Sequence, residues 1–194
     1  MNIAFPEAED DVSRRTFTVE DVRRMIDAGV IREDERIELV EGDLIMMAAK
    51  GIVHERIKLA LNEAIIRAAP RNLVLGVETS VRLSETLMLE PDLVVFPRSV
   101  LEKSDAGFIS LDPGEAYLVI EVAVSSMAYD KELKAQLYAR HKVREFWVID
   151  ANERTTWVHT GPSDDGWSSI VERGPDEVLA TPSLPNFSIC LTDI

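Results

Sequence analysis

The sequence predicts an α/β fold in which helices cover a mixed central sheet, and three observations carry that prediction. Two apolar runs, Leu93-Val94-Val95-Phe96 and Tyr117-Leu118-Val119-Ile120, lack the polar alternation of a half-exposed strand, as expected for strands covered on both faces. A helical stretch at about 129–141 then leads to a third mostly apolar run, Glu145-Phe146-Trp147-Val148-Ile149-Asp150. That strand–helix–strand order is the signature of a parallel crossover. Additional antiparallel strands are expected at both ends of the chain, a hairpin early and short strands late.

Residues 1–16 read as an acidic leader, and residues 17–194 as a single domain. Thr18-Val19-Glu20-Asp21 resembles a capping box with Asp at its last position, and Gly29 is a natural helix stop. Residues 37–47 alternate as a hairpin with Glu41-Gly42-Asp43 as its turn. Ile57, Leu61, Ala64, Ile65 and Ala68 recur at helical spacing from His54 onward, and Pro70 ends that helix. Strands are expected at 73–77 and 81–83, followed by the apolar runs. Residues 97–114 carry Pro97, Gly107, Pro113 and Gly114 and read as a loop. Residues 155–159, 167–171 and 177–179 read as a smaller antiparallel ending.

Composition narrows the function classes. The chain has 194 residues, 46% hydrophobic and 29% charged, enough for one sizeable core. No apolar stretch has the length of a membrane span, and Met1-Asn2-Ile3-Ala4-Phe5-Pro6 lacks the basic-then-apolar pattern of an export signal, so the expectation is a cytoplasmic protein away from membranes. Cys190 stands alone, so neither an internal disulfide nor a disulfide-linked partner is expected, and no Cys or His cluster has zinc-ligand spacing. The net charge of −14 opposes tight nucleic-acid binding. Part of the excess is local, at Glu7, Glu9, Asp10 and Asp11, and at Asp164, Asp165, Asp176 and Glu177. Basic residues gather at Arg140, His141, Lys142 and Arg144, the candidate contacts for a polynucleotide.

Two acids stand out because of where they fall. Asp92 directly precedes the Leu93 run, and Glu121 interrupts the run that continues through Val122-Ala123-Val124. A carboxylate inside or beside a buried strand is costly unless a cation or hydrogen-bond donors compensate it. Two such acids fit a magnesium ion, which binds through one or two carboxylates and keeps several waters, and the carbonyl of Val122 is a further candidate ligand. The following helix supplies Lys131, Lys134 and Tyr138 on one face, beside an apolar stripe of Leu133 and Leu137. Lys134 is the candidate to position an attacking water. The competing reading is purely structural: Asp92 as a turn residue, Glu121 paired with a nearby base, and Lys134 solvated and paired with Asp130.

These residues, in order, carry a resemblance. Ile37 to Gly42, His54 near a helix start, Pro91-Asp92, Glu121-Val122, then Asp130, Lys134 and Tyr138, then Val143 to Asp150, resemble the Uma-type putative restriction endonuclease family of the PD-(D/E)XK nuclease-like superfamily. The resemblance covers residues 17 to 190. It implies a restriction-endonuclease-like core of about four strands with a metal site at one end. Asp92 and Glu121 match its metal-binding acids, and Lys134 a lysine delivered from the helix instead of the strand, where Ala123 stands two residues after Glu121. Glu38 matches an early acidic position and His54 a frequent histidine, while Glu78 is an outer candidate ligand. Where the family carries a Ser-Pro pair this chain has Val124-Ser125, although Ser126 still fits.

The leading expectation is an endonuclease that uses Mg2+, with Mn2+ as a substitute, to hydrolyse DNA, acting as the homodimer common in the superfamily. One alternative is a nuclease fold without robust activity, serving as a binding or regulatory module. Another is a metal hydrolase for a small phosphoester or nucleotide, which a deep closed pocket would favour over an open groove lined by Arg140, Lys142 or Arg144.

Overall fold

The computed structural model describes residues 15–32, 34–103 and 107–194, so most of the leader expected at 1–16 lies outside the described residues. The capping box closes on both sides. Thr18 Oγ1 accepts from the Asp21 N–H and the Asp21 carboxylate accepts from the Thr18 N–H, starting α1 (Val19–Asp27). The hairpin joins β1 (Ile37–Val40) to β2 (Asp43–Met46) through two residues, so Asp43 opens the second strand instead of closing the turn. Glu41 and Gly42 both take positive φ, 49° and 92°, the twist a two-residue hairpin turn requires.

α2 (Ile52–Ala68) starts from Gly51, ahead of His54, which therefore sits inside the first turn. Ala69 leaves the helix in the extended conformation that a following proline imposes. Next come β3 (Leu73–Val77), β4 (Val81–Arg82), β5 (Met88–Leu89) and β6 (Leu93–Pro97). The stretch read as a loop contains α3 (Ser99–Lys103) and β7 (Ile109–Ser110), elements too short to show a period. β8 (Leu118–Ala123) is followed by a π-helical turn, Tyr129–Lys134, that runs into α4 (Ala135–Arg140). β9 (Glu145–Asp150), β10 (Thr156–Ser163), β11 (Gly166–Arg173), β12 (Leu179–Thr181) and β13 (Leu184–Ile189) complete the described strands.

The main sheet has six strands in the order β11-β10-β9-β8-β6-β3, so β10 and β11 extend the sheet instead of forming a separate ending. β8 and β9 are its parallel pair, the crossover read from the sequence, while its other neighbours are antiparallel. A second sheet, β2-β1-β5-β4-β7, and the β12–β13 pair flank it. Strand alternation sorts the core into two layers. On one face Leu93, Val95, Leu118, Ile120, Trp147 and Ile149 pack against Ile57, Leu61 and Ile65 of α2. On the other, Val94, Phe96, Val119, Phe146 and Val148 meet Leu137 and Tyr138 of α4, with Val40, Val81 and Leu89 of the second sheet. Each such side chain contributes roughly 1.5–3 kcal/mol on burial.

The π turn corrects one expectation. Its wider hydrogen bonding, with the Ala135 N–H reaching the Asp130 carbonyl, slips the helix phase by a residue. Leu133 is left 40% exposed while Lys134 is wholly buried, so Leu133 and Leu137 do not form one core stripe. Lys131 turns away as well, with its ammonium 3.5 Å from the centroid of the Trp157 ring.

Candidate active site

β6 and β8 pair Leu93 with Ile120 and Val94 with Val119, and one step beyond that ladder Asp92 comes level with Glu121. Asp92 is buried and held from several sides. Its Oδ2 accepts from the Val122 N–H at 2.7 Å, and its Oδ1 is ion-paired with Lys50 Nζ. His54 Nε2 lies 3.0 Å from the same Oδ1 but off hydrogen-bond alignment, which leaves a buried ring nitrogen without a hydrogen-bond partner. Burial opposes ionisation of Asp92, yet His54 and Lys50 outweigh it and pull its pKa down to about 2.

Glu121 takes the opposite course. It shares the strand face of Val119, which turns it toward the helix, where its Oε1 accepts from Lys134 Nζ and from the Tyr138 hydroxyl, each at 2.9 Å. Among the described residues its Oε2 receives no hydrogen bond. Burial, opposed by Lys134 and assisted by Asp130, Asp92 and Glu38, lifts the Glu121 pKa to about 8. Lys134 Nζ also lies 2.9 Å from Glu38 Oε1 and 3.8 Å from Asp130 Oδ1. Although burial works against its charge, the three acids hold the lysine well above its ordinary pKa. Glu38 is fixed in turn by the Glu90 N–H at 2.9 Å and the Tyr129 hydroxyl at 3.0 Å. Asp130, raised by burial, accepts from Ser126 Oγ at 2.6 Å.

A cavity of about 380 Å³ opens onto this cluster, lined by Asp92, Glu121, Val122, Asp130 and Lys134, with His54, Lys50 and Tyr129 at its sides and residues 45–49 forming an apolar lip. Among the described residues, no group of three or more His, Cys, Asp or Glu side chains is arranged to hold a metal ion. Magnesium does not require three, since one or two carboxylates suffice. The donor set fits a divalent ion: four carboxyl groups, Glu38, Asp92, Glu121 and Asp130, share two lysines, Lys50 and Lys134, at and behind one cavity, and Glu121 holds a proton that a cation can replace. Charge is costly out of water, so burial first, and the neighbouring acids after it, keep a proton on Glu121 until a cation replaces it.

The sequence-derived candidates are thus divided. Asp92, Glu121, Val122, His54 and Lys134 line the cavity, and Glu38 and Tyr138 support it from behind. Glu78 stands outside, linked through Lys50 and paired with Lys58 at 2.9 Å. Arg140 pairs with Glu41, Lys142 with Asp164, and Arg144 stacks over Tyr117, so none of the three lines the cavity. Lys134 is no free lysine reaching for water, because its ammonium is committed to Glu38 and Glu121. Sequence reasoning missed Lys50 and Tyr129. Lys50 precedes a helix in an aperiodic segment and meets Asp92 across 42 residues of chain, a contact without a local signature. Tyr129 sits in the π turn, whose phase no regular helical reading supplies.

The fold is that of a mixed α/β protein with a buried ionic cluster at one cavity. The Uma2 family model, described as putative restriction endonuclease, matches residues 19–192, and the chain belongs to that family. Among solved structures it is similar to a putative nuclease belonging to DUF820 from Anabaena variabilis, at 19% identity and a TM-score of 0.72. That likeness covers 91% of this chain and 96% of the other, and it concerns the fold. No curated protein matches the chain. No described helix is long and apolar enough to cross a membrane.

Proposed function

We propose that this chain is a magnesium-dependent endonuclease that hydrolyses DNA phosphodiester bonds. The observation that carries the reading is the level pair Asp92 and Glu121 at one cavity, where four carboxyl groups share two lysines. Asp92, Glu121 and the main-chain carbonyl of Val122 are the residues that would hold the ion, with manganese as a substitute. A divalent ion bound there would stabilise charge on a phosphate and lower the pKa of a water. The chain's own residues set the stage. Lys134 and Tyr138 fix Glu121 Oε1 and leave Oε2 to the cavity, while the Val122 N–H orients Asp92. Glu38 keeps Lys134 charged and in place, so that a fixed positive charge lies beside the cavity for the transition state. In this reading residues 17–194 act as one domain in the cytoplasm, and two copies serve the two strands of a duplex.

The test is calorimetry with magnesium and manganese on the wild type, Asp92→Ala and Glu121→Ala, followed by cleavage of supercoiled and single-stranded DNA. Binding and cleavage that both vanish in the variants support the nuclease. Metal binding without cleavage favours a binding or regulatory module. A second reading, hydrolysis of a small phosphoester or nucleotide, is favoured by one observation: the cavity's lysines are Lys50 and Lys134, and Arg140, Lys142 and Arg144 lie elsewhere. Cleavage of bis(p-nitrophenyl) phosphate without cleavage of DNA would decide for it.

A further inference from the structure

Lys50 stands at the side of the same cavity, in the segment between β2 and α2, and has no part in the roles assigned so far. Its ammonium pairs with Asp92 Oδ1 and lies 3.0 Å from Glu78 Oε1. Because Asp92 Oδ2 is taken by the Val122 N–H, Oδ1 is the oxygen left for a cation, and Lys50 pairs with it while His54 Nε2 lies 3.0 Å away. The two cavity lysines differ in how freely they can leave. Lys134 is wholly buried among three acids and cannot move without baring them. Lys50 is 13% exposed at its side chain and belongs to neither helix nor strand. Glu78 offers it a second carboxylate, and Glu78 has two further cations, Lys58 at 2.9 Å and Arg36 at 3.2 Å.

An ammonium and a divalent ion compete for one carboxylate oxygen, since each repels the other at contact distance. We infer that Lys50, which pairs with Asp92 Oδ1, gives up that oxygen when a divalent ion binds and then turns toward the phosphodiester as a substrate-positioning residue. This rests on the nuclease reading and adds to it a lysine that changes partners. The chain itself supplies a neutralising charge to Asp92, and the same charge would become available to an anionic substrate on metal binding. Lys134 meanwhile keeps Glu121 in place throughout.

The experiment pairs manganese calorimetry with DNA binding, on the wild type, Lys50→Met, Lys50→Arg and Asp92→Ala. DNA binding is read by the anisotropy of a short fluorescein-labelled duplex with calcium in place of magnesium. Removing the competing ammonium should tighten manganese binding in Lys50→Met by about tenfold. The same variant should bind the duplex several-fold more weakly, and Lys50→Arg should stay near the wild type in both readouts. A residue with only a structural role would weaken both readouts together, so the opposite signs are diagnostic. Wild-type binding that Asp92→Ala abolishes upholds the metal reading, and an unchanged or weaker Lys50→Met then sinks the Lys50 inference alone. Tighter metal with unchanged duplex binding overturns the substrate-positioning half. A wild type that binds no manganese overturns the metal reading and the inference with it.

Discussion

Asp92 and Glu121 sit level across neighbouring strands, yet their carboxyl groups are driven in opposite directions, Asp92 down to about 2 and Glu121 up to about 8. Burial acts on both, and the neighbours decide the outcome. Asp92 faces Lys50 and His54, whereas Glu121 shares its one lysine with Glu38 and Asp130. Groups driven apart in this way are common at functional sites, where one stays ionised and the other waits for a cation or a proton.

The first prediction follows from the sign of those shifts. Glu121 has a folded pKa above its ordinary 4.5, so its contribution to stability is fully present below about 4.5 and is lost as pH rises through about 8. Asp92 works the other way: its contribution is present above 3.8 and lost as pH falls toward about 2. In chelator, the urea midpoint should therefore drop between about pH 5 and about pH 8, and Glu121→Gln should flatten that drop. Equal slopes for the two proteins would show that Glu121 does not carry the proton.

A divalent ion should reverse that trend. Saturating magnesium adds stability according to its occupancy, about 2.7 kcal/mol at a hundredfold excess over the dissociation constant. Metal and proton compete for the same carboxylate, so the gain should be larger at about pH 8 than at about pH 5. Thermal midpoints with and without magnesium at the two pH values measure it, and a gain that ignores pH would place the ion away from Glu121.

Much of the fold was legible because its signals are local or periodic. The capping box at Thr18, the spacing of Ile57, Leu61 and Ile65, and the doubly buried run at Leu118 each state their element within a few residues. Asp92 and Glu121 were legible for the same reason, as charges beside apolar strands. What stayed hidden depends on distance or on broken periodicity. Lys50 finds Asp92 only after the sheet has assembled, β5 and β7 have two residues each, and the π turn moves Lys134 inward and Leu133 outward against any regular helical wheel. Arg140, Lys142 and Arg144 looked like a patch in sequence, yet each found a separate partner on the surface.

The Tyr138 hydroxyl is a partner of a proposed ligand and should behave as one. It donates to Glu121 Oε1 from a fully buried position. Replacing it with hydrogen in Tyr138→Phe keeps the ring packed 4.8 Å from Phe146 and removes only the bond. Metal affinity should fall by about 10–100-fold, the usual effect of losing a group that orients a ligand. Calorimetry with manganese reads this directly, and an unchanged affinity would mean that Lys134 alone fixes the carboxylate.

The phase slip of the π turn makes two lysines on one short helical segment unequal, and a pair of substitutions exposes the difference. Lys134→Met leaves Glu38, Glu121 and Asp130 buried without their shared cation, a defect that costs about 3–5 kcal/mol when one partner of a buried pair is removed. Proton uptake by the acids softens the loss at low pH, so it should be largest at neutral pH and above. Lys131→Met instead removes a cation from the face of Trp157, worth about 0.5–1 kcal/mol at such a site. Were the segment a regular α-helix with Lys131 and Lys134 on one face, the two losses would be comparable. Urea unfolding of both variants separates these cases, and a costly Lys131→Met beside a mild Lys134→Met would put the phase of the turn, and with it the burial of Lys134, in error.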